Sequence, residues 1–132
     1  WEKNDAVYDK LVSGQRRAIA VSAVSLDEFF KNYKEPIAFI KMDVQGAEGG
    51  ALKGMMEILK KNPNVKLMTE FWPAGLKMFG IEADTFLTTL ENLNFSFFEV
   101  DNLKEQVGKD LLLSKYTVAN NRSVDLFVKH KP

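Results

Sequence analysis

The sequence contains no cysteine, and this absence excludes disulfide bonds and thiolate sites. It also fits a reducing compartment, so we expect a cytoplasmic protein. No apolar run reaches the roughly 18 residues that a membrane span needs, and no signal peptide is recognisable. The one histidine, His130, lies near the C-terminus, where we expect it to be solvated and without a role in a site.

Neither sign of charge is in excess, because 18 lysines and arginines balance 18 acidic residues. A balanced chain gives no electrostatic reason to expect a nucleic acid or an anionic membrane as partner. Apolar residues, by contrast, make up 45% of the 132 residues, and ten of them are phenylalanine. This content is enough for one domain with a buried core. We expect that domain to span residues 1–132, with residues 1–17 as a weakly structured lead-in.

The apolar segments alternate in the rhythm of an α/β protein. Strands are predicted at 18–24, 37–44, 65–71, 95–100 and 123–129. Helices are predicted from a capping box at Ser25 to near Pro36, over 47–60 and 84–93, and briefly at 111–114, with a loop at 72–75. The run Ile37–Val44 is continuously apolar, as in a strand that is covered on both faces of a parallel sheet.

Sites in open α/β sheets form at the carboxyl ends of the strands. That rule singles out three places, which are Asp43–Gly46, Glu70–Pro73 and Glu99–Asp101. The glycines around Glu48 lie between a strand and a helix, which is a phosphate-binding context. However, Glu48 would repel a phosphate, and the glycine spacing matches no phosphate-binding motif.

Four elements of the sequence carry a family resemblance. They are Lys41-Met42-Asp43-Val44-Gln45-Gly46-Ala47-Glu48, the Leu52-Lys53-Gly54 that follows, Val24-Ser25-Leu26-Asp27-Glu28 upstream and Met68-Thr69-Glu70-Phe71 downstream. Together they resemble the FkbM family of methyltransferases over about residues 18–130. Gln45 stands where that family more usually has glutamate, which weakens any case for metal binding, and we expect no metal site.

The resemblance implies a partial Rossmann-like sheet of a class I methyltransferase, mostly parallel with its last strand antiparallel. Of the strand order 3-2-1-4-5-7-6, this chain would supply 4, 5, 7 and 6. The family's glycine-rich turn belongs further towards the N-terminus, and the eight glycines here include no G-x-G after a strand. We therefore expect a C-terminal part of the domain that is inactive by itself. Its strand 37–44 would have one unpaired edge, open to a second copy of the chain or to another strand.

The resemblance also implies S-adenosylmethionine as cofactor and a hydroxyl group of a sugar, glycolipid or polyketide-like molecule as acceptor. The implied roles are catalysis for Asp43 and Glu70, cofactor binding for Asp43, Val44, Gln45 and Gly46, and substrate binding for Glu48 and Trp72.

Four of these residues also have a purely structural interpretation. Asp43 could accept N–H groups in its turn, Glu48 could interact with a helix dipole, and Trp72 could pack in the core. Glu70 could equally accept a hydrogen bond from the following loop, and Asp27 is expected to act at a helix N-terminus. A function of another class stays open, namely a non-catalytic α/β binding or assembly module that kept the fold and lost the cofactor half.

Overall fold

Five strands form one sheet in the computed structural model, which describes residues 21–131. They are β1 (Phe39–Met42), β2 (Lys66–Phe71), β3 (Phe95–Glu99), β4 (Gln106–Val107) and β5 (Val124–His130). Their order in the sheet is β1-β2-β5-β3-β4, with β1 and β2 parallel and β5 antiparallel to both β2 and β3. Strands β1, β2 and β3 therefore run the same way, and their carboxyl ends lie at one edge of the sheet.

Six α-helices accompany this sheet in the described range. They are α1 (Leu26–Phe29), α2 (Glu48–Lys53), α3 (Met56–Lys61), α4 (Pro73–Met78), α5 (Ala83–Asn92) and α6 (Lys109–Lys115), and a 3₁₀ turn covers Val100–Asn102. Helix α5 packs against β3 and α6, and α1 packs against α3. The predicted α/β class is confirmed. None of the helices described is both long and apolar enough to cross a membrane.

The core consists of side chains from β2, β3, β5 and the helices that cover them. Its fully enclosed members include Leu59, Leu67, Phe71, Leu76, Phe86, Leu87, Leu90, Phe95, Leu112, Leu126 and Val128. Burial of this many large apolar side chains supplies the main favourable term in folding.

Strand β1 differs from its prediction because it is an exposed edge strand. Phe39 is 51% exposed while Met42 is 4% exposed, so the strand is not covered on both faces. Within the described range β1 pairs with β2 alone. The expectation that a second copy or a further strand pairs with this edge stays a prediction. The predicted strand at 18–24 lies partly outside the described residues, and its described part, 21–24, is exposed and forms no strand.

Helix α1 begins as predicted and ends early. The Ser25 hydroxyl accepts the Glu28 N–H at 3.2 Å, but the Glu28 carboxylate pairs with Lys31 instead of reaching back to the cap. Phe29 and Tyr33, within the segment that was predicted to be helical, are 68% and 53% exposed. A short helix gains its stability mainly from burying one face, and these two side chains add little buried surface that would prolong it.

The predicted helix over 47–60 is divided into α2 and α3, and Asp27 accounts for the division. Its carboxylate accepts the Glu57 N–H at 3.1 Å and the Ile58 N–H at 2.9 Å, at the start of α3. The Asp27 N–H donates to the Gly54 carbonyl at 2.9 Å, at the end of α2. Asp27 thus acts at a helix N-terminus as expected, but at that of a helix about thirty residues along the chain.

Two further segments carry more structure than predicted. The segment 72–75 was predicted as a loop, but α4 begins at Pro73. The N–H of the first helical residue makes no helical hydrogen bond, so proline, which has no N–H, fits at this position. The short helix predicted at 111–114 extends over Lys109–Lys115, and β4 precedes it.

We expect Asp27→Ala to lower the free energy of unfolding by about 1–2 kcal/mol, since two helix N–H groups lose their acceptor. Asp27→Asn keeps an acceptor oxygen and should cost less. Urea denaturation measures both, with the exposed Asp101→Ala as control. Equal stability of Asp27→Ala and the control would contradict the capping role.

Candidate functional site

The turn that follows β1 is built on two residues with left-handed backbone and one buried carboxylate. Gln45 has φ 53° and Gly46 has φ 98°, a region that glycine adopts readily and other residues seldom do. The Val44 N–H donates to Glu48 Oε1 at 3.0 Å, which closes the turn over Asp43–Glu48. Glu48 is 0% exposed, so this side chain holds the turn from inside.

This turn touches the first turn of α4 with no space between the two backbones. A Cβ on Gly46 would lie 2.8 Å from the carbonyl carbon and oxygen of Gly75, and a Cβ on Gly75 would lie 2.1 Å from Trp72 Cε3. Both distances are shorter than carbon contacts in folded proteins allow. The segments after β1 and after β2, both predicted as site segments from the sequence, therefore form one packed unit.

Asp43 lies at the exposed rim of this unit. Its carboxylate accepts the Gln45 side-chain amide at 2.9 Å and the Lys41 ammonium at 3.4 Å. These bonds, the Gln45 amide first, lower the pKa of Asp43 below its ordinary value. Asp43 is therefore an ionised carboxylate at neutral pH, and its side chain is 45% exposed. The Gln45 amide is used within the turn, and Val44 leaves 43% of its surface exposed.

Glu70 lies one residue before the end of β2 in a more enclosed environment. Burial raises the pKa of Glu70, and the negative charges of Glu48, Asp43 and Asp125 raise it further against a lowering hydrogen bond from Ser123. Asp125 is its direct neighbour across the β2–β5 pair. Glu70 Oε2 is buried and has no hydrogen-bond partner among the described residues.

Glu48 also has a buried carboxylate oxygen without a hydrogen-bond partner. This oxygen, Oε2, accepts no hydrogen bond from any donor within residues 21–131. Buried polar atoms usually have a hydrogen-bond partner. Two carboxylate oxygens without one, on groups whose negative charges interact, can accept a hydrogen bond from a further donor group. The described residues contain no group of three or more histidine and carboxylate side chains arranged to hold a metal ion.

Trp72 follows β2 and is half-buried. Its indole N–H donates to Asn121 Oδ1 at 2.8 Å, and Gly75 lies against its ring. Successive side chains of an extended segment point to opposite sides, and Phe71 is 0% exposed in the core. Glu70 and Trp72, on either side of Phe71, therefore share the side that faces away from that core contact.

Glu99 ends β3 at the third place that the strand-end rule selected, and its environment is of another kind. Lys115 Nζ lies 2.8 Å from both carboxylate oxygens, and the Tyr116 hydroxyl donates to Oε1 at 3.1 Å. The Lys115 hydrogen bond lowers the pKa of Glu99. Its carboxylate is thus engaged in a structural ion pair whose partners the sequence pattern did not indicate.

The expectation that His130 is solvated is only partly met, because the residue is half-buried. Its ring lies against Phe95 with centroids 4.0 Å apart and 31° between the ring planes, and Nε2 is buried. His130 ends β5, which is antiparallel to its neighbours, so it lies at the opposite edge of the sheet from Asp43 and Glu70.

The described residues form a mixed α/β protein with a cluster of carboxylates at the carboxyl ends of two parallel strands. A family model described as the methyltransferase FkbM domain matches residues 3–108, which is most of the chain. The chain belongs to the FkbM methyltransferase family, and the resemblance drawn from its sequence is confirmed. The matched range includes Asp43, Glu70 and Trp72 but ends before Asn121. Neither the curated proteins nor the solved structures gave a significant match.

A series of glycine substitutions tests the close contact between the two segments. We expect Gly46→Ala to destabilise the protein by about 2–3 kcal/mol or more, because it combines a strained φ with a clash against Gly75. Gly80→Ala has a positive φ but open space around it and should cost about 1 kcal/mol. Gly108→Ala, with φ −77° and open space, is the control without backbone strain or a clash, and as the N-cap of α6 it should cost no more than about 1 kcal/mol. Equal effects at positions 46 and 80 in urea denaturation would contradict the contact.

The raised pKa of Glu70 predicts a pH-dependent contribution to stability. The folded state binds the Glu70 proton more tightly than the unfolded state, so this contribution is full below the ordinary pKa of 4.5 and is lost as pH rises through the folded-state pKa. Glu70→Gln removes the dependence, and its stability relative to wild type should rise between about pH 4 and pH 7. The exposed Glu35→Gln should show no such trend. A Glu70→Gln difference that is constant with pH would exclude a raised pKa.

Proposed function

We propose that this chain forms the acceptor side of the active site of an S-adenosylmethionine-dependent O-methyltransferase, with Glu70 as general base. The observation that carries this proposal is the partly buried Glu70 carboxylate, in a member of the FkbM methyltransferase family. It has a raised pKa, and one of its oxygens has no hydrogen-bond partner among residues 21–131. A general base works best when its pKa lies near the working pH and its lone pair is free.

The sheet order supports a Rossmann-like arrangement of the domain. The sequence β1-β2-β5-β3, with β5 antiparallel, corresponds to strands 4, 5, 7 and 6 of the order expected for class I methyltransferases. In such sheets the carboxyl ends of the strands form the ligand crevice. Asp43 and Glu70 follow or end the strands that correspond to 4 and 5.

The charge of the site fits the proposed cofactor. S-adenosylmethionine, when bound, supplies the methyl group from a positively charged sulfonium. The exposed Asp43 carboxylate and the unpaired Glu70 oxygen give the site a negative potential, and among the described side chains that contact Asp43 the only cation is Lys41. In this proposal the turn Asp43–Gly46 lines the cofactor.

The chain's own residues would act on the acceptor. Glu70 accepts the proton of the acceptor hydroxyl through the oxygen that has no partner in the described structure. Asp43, held ionised, accepts a hydrogen bond from a neighbouring hydroxyl of the acceptor and so fixes the orientation of the acceptor. Glu48 stabilises the turn by accepting the Val44 N–H. Trp72 offers an apolar surface to a sugar, glycolipid or polyketide-like acceptor.

The test is methyl transfer from radiolabelled S-adenosylmethionine to methyl glycosides by the complete protein that contains this chain. We expect Glu70→Gln to lower kcat by about 100-fold or more, as loss of a general base does, with little effect on KM. Wild-type kcat should rise with pH through the raised pKa of Glu70. Glu35→Gln removes a carboxylate at an exposed position distant in sequence from Glu70, and it should leave kcat unchanged. A Glu70→Gln enzyme with wild-type kcat would contradict the assignment of Glu70 as the general base.

For the 132-residue chain alone we expect no thermal shift with S-adenosylmethionine, because its sequence offers no G-x-G after a strand to hold the methionine part of the cofactor. A competent protein would gain about 2.7 kcal/mol at a ligand concentration of 100 Kd. A clear shift would show that the described site holds the cofactor by itself.

A further inference from the structure

We propose that Asn121 is a positioning residue that fixes the Trp72 indole as a platform for the ring of the acceptor. The inference rests on the proposed function for the identity of the ligand, and on the contacts of Trp72 for the platform itself. It assigns a role to a loop beyond the range that the family model matches, 3–108.

Two contacts determine where the indole lies. The Trp72 N–H donates to Asn121 Oδ1 at 2.8 Å, across 49 residues of sequence. Gly75 lies against the benzenoid half of the ring, so close that a Cβ would be 2.1 Å from Cε3 and 2.8 Å from Cζ3. A hydrogen bond at one edge and a backbone support at the other end remove the freedom of both side-chain torsions, while the residue keeps part of its surface exposed.

The loop that carries Asn121 is built to hold a fixed shape. The Asn120 side chain accepts the N–H groups of Thr117 and Arg122 at 3.0 and 3.1 Å and donates to the Lys115 carbonyl at 3.0 Å. Asn121 itself adopts a left-handed φ of 51°, and its N–H donates to the Thr117 carbonyl at 3.1 Å. Asparagine is one of the few residues that tolerate this conformation, so the loop presents its amide oxygen in one direction.

The same loop is anchored to the core and to β3. Tyr116 is 4% exposed, packs edge-on against Phe71 with centroids 6.3 Å apart, and donates to Glu99. The ion pair between Glu99 and Lys115 adds a second anchor. At the third strand end, Glu99 is bonded to Lys115 and Tyr116 and thereby supports the loop that holds Trp72.

The position of the platform identifies the kind of ligand. Trp72 shares one side of its segment with Glu70, and Gly75 beneath it touches the turn that follows Asp43. The face of an indole attracts C–H groups that carry partial positive charge, and the neighbouring carboxylates accept hydroxyl donors. A ring with an apolar C–H face and hydroxyl groups at its edge, such as a pyranose, satisfies both requirements.

The decisive measurement is the indole N–H resonance of Trp72 in the complete protein, taken in a Trp1→Phe background so that this chain contributes one indole signal. We compare Asn121→Gly, which tolerates the positive φ but lacks an acceptor, with Asn121→Asp, which keeps both. The signal should move upfield and exchange faster with solvent in Asn121→Gly, and stay near its wild-type position in Asn121→Asp. An unchanged signal and exchange rate in Asn121→Gly would overturn the positioning role.

The second measurement follows binding of methyl β-D-glucopyranoside by quenching of Trp72 fluorescence in the same background. We expect Asn121→Gly to weaken binding by about five- to tenfold, with rescue by Asn121→Asp, and to raise KM rather than lower kcat. Equal affinity of wild type and Asn121→Gly, or no quenching of the wild type, would overturn the platform.

These outcomes are separable from those of the proposed function. A protein that binds the glycoside through Trp72 and transfers no methyl group refutes the methyltransferase proposal and leaves the platform standing.

Discussion

The close approach of Gly46 to Gly75 is the constraint on which the site depends. With no side chain on either residue, the turn after β1 and the first turn of α4 meet backbone to backbone, and Trp72 lies directly beyond Gly75. A side chain at Gly46 would push the two segments apart, and a side chain at Gly75 would displace the Trp72 indole. The contact therefore converts two loops that parallel strands place near each other into a single body, in which Asp43 and Glu70 have fixed relative positions.

That body contains features that work against stability. Glu48 is fully enclosed, and one of its oxygens has no partner in the described part of the chain. Glu70 lies near three other carboxylates, and Gln45 has a left-handed backbone. Burying charge of one sign and straining a non-glycine residue both cost free energy. The Val44 N–H and the first turn of α2 offset part of this cost for Glu48. Concentration of such unfavourable features at one end of a sheet is typical of a functional site, where chemistry sets the residues.

Local pattern was enough to predict β2, β3, β5 and α5 to within a residue or two, because each buries a regular set of apolar positions. It was also enough to predict that Asp43 and Glu70 follow or end strands. It failed where a distant residue decides the outcome. Asp27 divides α2 from α3 through bonds that span 30 and 31 residues, and no window around Ala47–Lys60 contains that information. The exposure of β1 likewise depends on the packing of distant segments against it. Asn121 contacts Trp72 across 49 residues, and no local pattern indicates that contact.

The difference between Glu70 and Glu99 shows what selects a site among equivalent strand ends. Both glutamates lie at or next to the end of strands that run the same way in one sheet, so topology alone ranks them equally. Lys115 and Tyr116 bond to Glu99 and lower its pKa. Burial and the charges of Glu48, Asp43 and Asp125 raise the pKa of Glu70, and its Oε2 has no partner among the residues that the structure describes. Only the environment of Glu70 leaves a carboxylate that a hydrogen-bond donor on a ligand would stabilise. The strand-end rule thus locates the edge of the sheet, and the charge of the neighbours decides which carboxylate on that edge is available for chemistry.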